Sequence, residues 1–269
     1  MQERSRPPRT PPGLTLPAIA ARLRAAGCVF AEDEARLLRS AAASPAQLGG
    51  MVERRAAGDP LEYVIGWGEF CGLRIAVGPG VFVPRHRTEL LVREAVALLR
   101  PGAVVVDLCC GAGAVSAALV ARIPGIELHA ADIDPRAVGF ARRNLDGSAA
   151  SVHQGDLYAA LPAGLRGRVD VIVCNPPYVP TAEIETLPRE ARLFEAAAAL
   201  DGGSDGLALV RRVAAEAPSW LARGGHLLVE CSERQAPVAV EVFAGCGLTP
   251  RPASDADLEA TAVLGSMPA

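Results

Sequence analysis

The segment AVVVDLCCGAGAVSAALVARI, residues 103–123, decides the fold of this chain. It opens with an apolar run that is typical of a strand buried on both faces of a parallel sheet. A glycine-rich turn follows, and apolar residues then recur at helical spacing. A strand, a glycine turn and a helix in this order form the first half of a βαβ unit.

The alternation of strand and helix continues toward the carboxyl terminus. Further strands are predicted at IELHAAD (126–132), VDVIVCN (169–175) and GHLLVECS (225–232). Helical spacing fills the intervals at PRAVGFARRNL (135–145) and DGLALVRRVAAEAPSWLA (205–222). We therefore predict an α/β fold with a doubly wound, mostly parallel sheet.

The amino-terminal quarter has a different sequence pattern. Residues 14–60 show short helical patterns such as LPAIAARLRAAG, and residues 61–84 alternate apolar and polar residues with glycines at the breaks, as in a β-hairpin. Residues 1–13 are polar and rich in Arg and Pro, so we expect a disordered tail. The predicted organisation is this tail, a helical domain over 14–60, a hairpin linker over 61–84 and the main domain over 85–269.

Composition restricts the possible functions. The 269 residues are 50% hydrophobic and carry a formal net charge of −3, which argues against extensive contact with nucleic acid. No apolar run approaches the roughly 18 residues of a membrane span, and no signal peptide is evident, so we expect a cytoplasmic protein. The seven cysteines show no close-set ligand pattern, and we predict no metal site.

The turn DLCCGAG (107–113) suits close approach of a ligand to the backbone. Gly111 and Gly113 lack side chains, and the helix after them presents its positive end. The second strand ends in Asp132, where an acidic side chain can hydrogen-bond a ribose diol. The turn lacks the third glycine of a dinucleotide fingerprint. The pattern favours a cofactor with an amino-acid end, and S-adenosylmethionine fits, although a plain glycine turn explains the same residues.

A further acidic residue ends a short segment between the predicted strands IELHAAD and VDVIVCN. Asp156, in HQGDLY (153–158), can accept a hydrogen bond from the exocyclic amine of an adenine ring. Its position before a helical segment is equally consistent with an N-cap.

The tetrapeptide Asn175-Pro176-Pro177-Tyr178 lies at the carboxyl end of the predicted strand VDVIVCN, where open α/β sheets bind ligands. These residues suit one demanding reaction, the methylation of a planar NH2 group, whose nitrogen reacts poorly because its lone pair is delocalised. Asn175 Oδ1 and the Pro176 carbonyl can each accept one of its N–H groups and support the charge that develops on it. Tyr178 can cover the planar group or lie near the growing cation. The pattern predicts nitrogen methylation.

Segments on both sides of this tetrapeptide resemble the HemK/PrmC family of protein-(glutamine-N5) methyltransferases. The similarity runs from about Asp59 to Gln235 and includes PLEYVIG (60–66), PRHRTE (84–89), EARLFEAAAAL (190–200) and GGHLLVECSERQ (224–235). The resemblance implies a class I S-adenosylmethionine-dependent methyltransferase, with a Rossmann-like sheet, a small helical domain that docks the substrate and a connecting β-hairpin. It implies, as substrate, a glutamine in a protein, most typically the Gly-Gly-Gln loop of a peptide chain release factor.

Site residues carry over from this family by position. The catalytic positions are Asn175, Pro176 and Tyr178. The positions that would hold S-adenosylmethionine are Asp107, Cys109, Gly111, Gly113, Asp132, Ile133, Asp156, Leu157 and Asn175. The positions that would line the glutamine pocket are Phe82, Asn175, Pro176, Pro177, Tyr178 and Glu195.

The chain departs from the family pattern at several positions. Cys109 replaces the first loop glycine, and its side chain fits there if its φ is negative. Arg87 stands where the family usually has an acid, and Ala196 stands where it has a proline. These changes bear on substrate identity, so a related paralogue that methylates another protein, such as a ribosomal protein, stays open. So do adenine or cytosine amino-methylation in nucleic acid and a binding module without turnover.

Overall fold

The computed structural model describes residues 14–268, which divide into two units after Trp67. The first unit consists of helices α1 (Leu16–Ala25), α2 (Ala31–Ala41), α3 (Pro45–Ala56) and the short α4 (Leu61–Ile65). Their apolar faces enclose a core of their own, in which Leu23 and Leu38 are fully buried. The predicted helical domain is therefore a separately packed unit, while the predicted tail over 1–13 lies outside the described residues.

The predicted hairpin begins later than expected. Residues 61–65 form α4 rather than a strand, because Pro60 enters the helix with an extended ψ of 138° and Gly66 ends it in the left-handed region at φ 87°. The hairpin itself pairs β1 (Trp67–Phe70) with β2 (Leu73–Ala76). All but its first residue, Trp67, lies in the second unit.

The second unit is built on a seven-stranded sheet within the described residues. Its strands are β3 (Val104–Leu108), β4 (Glu127–Asp132), β5 (Ser151–Gln154), β6 (Val169–Cys174), β7 (Leu221–Glu230), β8 (Thr249–Asp255) and β9 (Ala260–Ser266). They lie in the order β5-β4-β3-β6-β7-β9-β8. Strands β3 to β7 pair in parallel, and β8 and β9 are antiparallel. The predicted mostly parallel α/β fold is confirmed.

The described part of the second unit also contains six α-helices, most of which pack on this sheet. They are α5 (Glu89–Leu98), α6 (Ala114–Arg122), α7 (Pro135–Asn144), the short exposed α8 (Arg189–Phe194), α9 (Ala208–Trp220) and α10 (Ala236–Gly245). Helices α9 and α10 pack together over one side of the sheet, and α5 contacts α6 and α6 contacts α7. The central strands β3 and β6 are buried almost throughout, which explains their continuous apolar sequence. Within residues 14–268, no helix has both the length and the apolar character to cross a membrane.

The strand order positions the functional site. The chain leaves β3 toward β4 and β5 on one side and returns to β6 on the other, so a crevice opens where the order reverses. The registers pair Leu108 with Cys174 and Asp132 with Gln154. The four sequence motifs that follow β3, β4, β5 and β6 therefore lie side by side along one edge of the sheet.

Asn144, the last residue of α7, ties the hairpin to the glycine turn. Its Nδ2 donates to the carbonyl oxygens of Ala76 and Ala112 at 2.9 and 2.8 Å, and its Oδ1 accepts from the Ala76 N–H at 2.8 Å. One side chain thus hydrogen-bonds three backbone groups on two separate segments.

Replacement of Asn144 by alanine is expected to lower the free energy of unfolding by about 2 kcal/mol, because it leaves partly buried backbone groups without their partners. Urea denaturation followed by circular dichroism measures this change. The exposed neighbour Arg143→Ala is the matched control and is expected to have little effect. Equal stability of the two variants would contradict the assignment.

Candidate active site

The glycine turn after β3 is held open by backbone conformation and by one carboxylate. Gly111 and Gly113 have φ values of 56° and 77°, a region that favours glycine. A Cβ on Gly113 would approach Ala141 to 3.2 Å. Asp132 Oδ2 accepts the Gly111 N–H at 2.8 Å, and its Oδ1 accepts the Asp134 N–H at 2.9 Å. The acid at the end of β4 therefore shapes the turn at the end of β3.

Asp107 lies buried beneath the same turn. Its Oδ2 accepts hydrogen bonds from the Ser116 hydroxyl at 2.6 Å and the Ser116 N–H at 3.2 Å. Burial raises the pKa of Asp107 to about 7, although both Ser116 contacts act in the opposite direction. Burial also raises the pKa of Asp132. Two acids in a desolvated turn favour a cationic ligand, whose charge would lower both pKa values.

The loop after β5 completes this edge of the sheet. Ile133, beside Asp132, is 61% exposed, which is unusual for a large apolar side chain. Leu157 is buried with φ 48°. The side chain of Asp156 makes no N-cap hydrogen bond, so the capping alternative is not observed. Its Oδ2 lies instead 2.7 Å from Arg212 Nη2. Both members of this ion pair are about half exposed.

The tetrapeptide after β6 has its amide in a defined orientation. Pro176 and Pro177 are buried, and Asn175 Nδ2 donates to the Thr88 hydroxyl oxygen at 3.1 Å. The carbonyl oxygen Oδ1 of Asn175 consequently points away from Thr88. This oxygen is the acceptor predicted from the sequence for the substrate, and that role stays a prediction.

Hydrogen bonds fix both the side-chain hydroxyl and the backbone carbonyl of Tyr178. Its hydroxyl donates to Glu230 Oε1 at 3.2 Å, and Arg87 Nη1 lies 3.5 Å from the same hydroxyl. Burial and the Glu230 carboxylate raise the pKa of Tyr178. Gln235 Nε2 donates to the Tyr178 carbonyl oxygen at 2.8 Å and so fixes the backbone after the prolines.

Arg85 brings Phe82 and Glu195 together, although 112 residues separate Glu195 from Val83. Its guanidinium bonds to Glu195 Oε1 and lies 5.1 Å from the centre of the Phe82 ring. The Val83 N–H donates to the same carboxylate oxygen at 3.4 Å. The segment that carries these contacts leads directly to Thr88, the partner of Asn175.

Sequence reasoning missed three polar residues of this site: Thr88, Glu230 and Gln235. Glu230 is only 3% exposed and Thr88 only 4%. A signal was present, because Glu230 ends the apolar run LLVE, and a carboxylate buried with such a strand needs a hydrogen-bond partner. Among the described residues, no group of three or more His, Cys, Asp or Glu side chains is arranged to hold a metal ion.

Cys109 does not adopt the negative φ that would accommodate its side chain without strain. Its φ is 55°, in the left-handed region, because the turn keeps the backbone conformation that glycine normally provides. A side chain in this conformation costs roughly 1–2 kcal/mol.

Cys109→Gly is therefore expected to be more stable than Cys109→Ala by about 1 kcal/mol. Both substitutions remove the thiol, so the comparison isolates the backbone conformation. Urea unfolding of the two variants measures the difference. An alanine variant that is as stable as the glycine variant would rule out strain at this position.

Comparison with known proteins places this geometry in a family. Residues 72–223 match the methyltransferase small domain. The chain is 41% identical over 200 residues to the release factor glutamine methyltransferase of Geobacter sulfurreducens, covering 74% of this chain and 69% of that protein. It is 35% identical over 210 residues to the 4-amino-L-phenylalanine/4-methylamino-L-phenylalanine methyltransferase of Streptomyces pristinaespiralis, covering 76% and 71% of the two chains.

A solved structure supports the fold independently. The methyltransferase from Pyrococcus furiosus superposes with a TM-score of 0.57 at 18% identity and covers 74% of this chain and 90% of its own. Similarity at this level of identity establishes the architecture, while the sequence matches establish the relationship. The chain belongs to the methyltransferase small-domain family and, within it, to the family of release factor glutamine methyltransferases.

Proposed function

We propose that this protein transfers a methyl group from S-adenosylmethionine to the side-chain amide nitrogen of a glutamine in a protein substrate, most typically the Gly-Gly-Gln loop of a peptide chain release factor. The observation that carries the proposal is the orientation of Asn175. Its amide nitrogen is engaged by Thr88, so its carbonyl oxygen is available to accept an N–H from the substrate. This arrangement lies at the end of β6, next to the glycine turn.

The residues along the sheet edge fit S-adenosylmethionine. Gly111 and Gly113 give backbone access for its amino-acid end, with the Asp107 carboxylate beneath them, and Asp132 has an oxygen lone pair for a ribose hydroxyl. The exposed Ile133 side chain suits the face of an adenine ring.

The remaining predicted cofactor residues also fall on this edge. Cys109 belongs to the turn itself, and Leu157 follows Asp156 after β5. Asp156 would share its carboxylate between Arg212 and the adenine amine. When bound, S-adenosylmethionine supplies an electrophilic methyl group on a sulfonium.

For this reaction the protein has to orient the glutamine amide and to stabilise the positive charge that develops on its nitrogen. Asn175 Oδ1 and the Pro176 carbonyl would each accept one N–H of the glutamine amide, and the buried prolines keep that carbonyl rigid. Two acceptors favour the transition state, in which positive charge grows on the nitrogen, over the neutral amide. No strong base is required, because the methylated nitrogen sheds its extra proton after transfer.

The substrate pocket would be completed by Phe82, Pro177, Tyr178 and Glu195. The ion pair of Glu195 with Arg85 and the Arg85–Phe82 contact give this wall a fixed shape. We include the helical unit before Gly68 in the proposal as the domain that docks the protein substrate. Because release factors act in translation, the proposal places the enzyme in the cytoplasm.

The decisive experiment offers tritiated-methyl S-adenosylmethionine to the purified protein with release factors, ribosomal protein, DNA or 4-amino-L-phenylalanine in separate reactions. Peptide mass spectrometry then locates the label. Methylation of the Gly-Gly-Gln glutamine is the expected result. Label confined to another protein would make the enzyme a retargeted paralogue, and label on DNA or on the free amino acid would overturn the proposal.

Asn175→Ala is expected to lower kcat by at least about 100-fold, because it removes an acceptor from the developing charge. The affinity for S-adenosylmethionine, measured by calorimetry, should change little. The exposed Glu185→Ala on the following turn is the matched control. Substantial residual methylation by Asn175→Ala would exclude the proposed role.

Asp132→Ala is expected to weaken S-adenosylmethionine binding roughly 10- to 100-fold, because hydrogen bonds to a charged carboxylate contribute about 1.5–3 kcal/mol. The substitution removes the ribose acceptor and also frees the Gly111 N–H that shapes the turn. Calorimetric titration measures the affinity, with the exposed Asp146→Ala as control. An unchanged dissociation constant would refute the assignment.

A further inference from the structure

We propose that Glu230 and Thr88 are positioning residues that orient the Asn175 amide and the Tyr178 ring for methyl transfer. The inference rests on the proposed function, since it concerns how the same site is held in its working geometry. Neither residue is placed against the substrate. Both act through hydrogen bonds to residues that are.

The four side chains lie one after another, with Thr88 and Glu230 buried and Asn175 and Tyr178 half-buried. Glu230 Oε1 accepts from the Tyr178 hydroxyl at 3.2 Å, and the Thr88 hydroxyl interacts with the same carboxylate and acts to lower its pKa. The Thr88 oxygen accepts from Asn175 Nδ2 at 3.1 Å. The Oε2 atom of Glu230 is buried and accepts no hydrogen bond from the described residues.

The direction of each hydrogen bond follows from the chemistry of the groups. An ionised carboxylate can only accept, so in the proposed arrangement the Thr88 hydroxyl gives its single hydrogen to Glu230. Thr88 then has only oxygen lone pairs to offer to Asn175. A lone pair accepts a hydrogen bond, so it is the NH2 group of the Asn175 amide that turns toward Thr88. The carbonyl oxygen of Asn175 is consequently forced toward the substrate side. Glu230 thereby determines which end of the Asn175 amide meets the glutamine.

The chain also explains why a carboxylate is buried here. Burying Glu230 is unfavourable by itself, and desolvation raises its pKa. The hydroxyl hydrogen bonds from Thr88 and Tyr178 act against that rise, as does the charge of Arg87. An apolar residue at the end of β7 would pack without this penalty, but it would leave Thr88 free to donate toward Asn175 and so to favour the flipped amide.

The test compares kcat and KM for Thr88→Val, Thr88→Ser and Glu230→Gln with the wild type. Thr88→Val preserves shape but removes the hydroxyl, and it is expected to lower kcat about 10- to 100-fold with S-adenosylmethionine affinity unchanged. Thr88→Ser restores the hydroxyl and should stay within about threefold of the wild type. Glu230→Gln should resemble Thr88→Val, because its NH2 group can donate to Thr88 and reverse the chain.

Non-additivity separates positioning from simple packing. The double variant Thr88→Val with Glu230→Gln should lose no more kcat than either single variant, because both break the same chain. Thr181→Val, an exposed threonine after the tetrapeptide, and Glu233→Gln, an exposed glutamate after β7, are the matched controls. Full activity of Thr88→Val, or additive losses in the double variant, would overturn the proposal.

A measurement without substrate keeps this inference distinct from the proposed function. The side-chain amide protons of Asn175, assigned by NMR from their loss in Asn175→Ala, should exchange slowly in the wild type and at least tenfold faster in Thr88→Val. Failure of the wild type to methylate a release factor would contradict the proposed function. The exchange rates would still test the hydrogen-bond chain, because they are measured without substrate. Identical exchange in Thr88→Val and the wild type would refute the chain even if methylation is observed.

Discussion

Parallel pairing of β3 with β4 on one side and β6 on the other is the constraint on which the site depends. Parallel strands bring their carboxyl ends to one edge, and the reversal of strand order between β3 and β6 opens a crevice there. The pairing of Leu108 with Cys174 places the glycine turn directly beside Asn175. The two halves of a methyl-transfer site are therefore adjacent because of backbone hydrogen bonding, before any side chain contributes.

Polar groups buried at this edge are stabilised by one another rather than by solvent. Asp132 accepts two backbone N–H groups, and Asp107 accepts two hydrogen bonds from Ser116. Such networks are rigid, because any movement leaves a desolvated group without a partner. The same rigidity holds Cys109 in a conformation that its side chain disfavours. The strain is local, and the turn retains the shape that a glycine would give it.

Different observations support the fold and the proposed chemistry. A protein at 18% identity shares the architecture, which many methyltransferases use for different acceptors. In the proposed function, a few side chains recognise the methyl acceptor: the oriented amide of Asn175, the buried prolines and the wall formed by Phe82, Arg85 and Glu195. Arg87, one of the departures from the family pattern, lies 3.5 Å from the Tyr178 hydroxyl.

Local patterns in the sequence were sufficient for the central strands and for the motifs along the sheet edge. Apolar runs, helical periodicity and glycine turns are properties of neighbouring residues, so β3, β4, β6, β7, the main helices and the motifs at this edge were predictable, whereas β5, β8 and β9 were not predicted. The start of α4, the φ of Cys109 and the Asp156–Arg212 ion pair were not. Thr88 and Glu230 meet Asn175 and Tyr178 from segments 87 and 52 residues away. Contacts at such separations leave no periodic trace in a single sequence, because they arise only when packing has brought the ends of separate strands together.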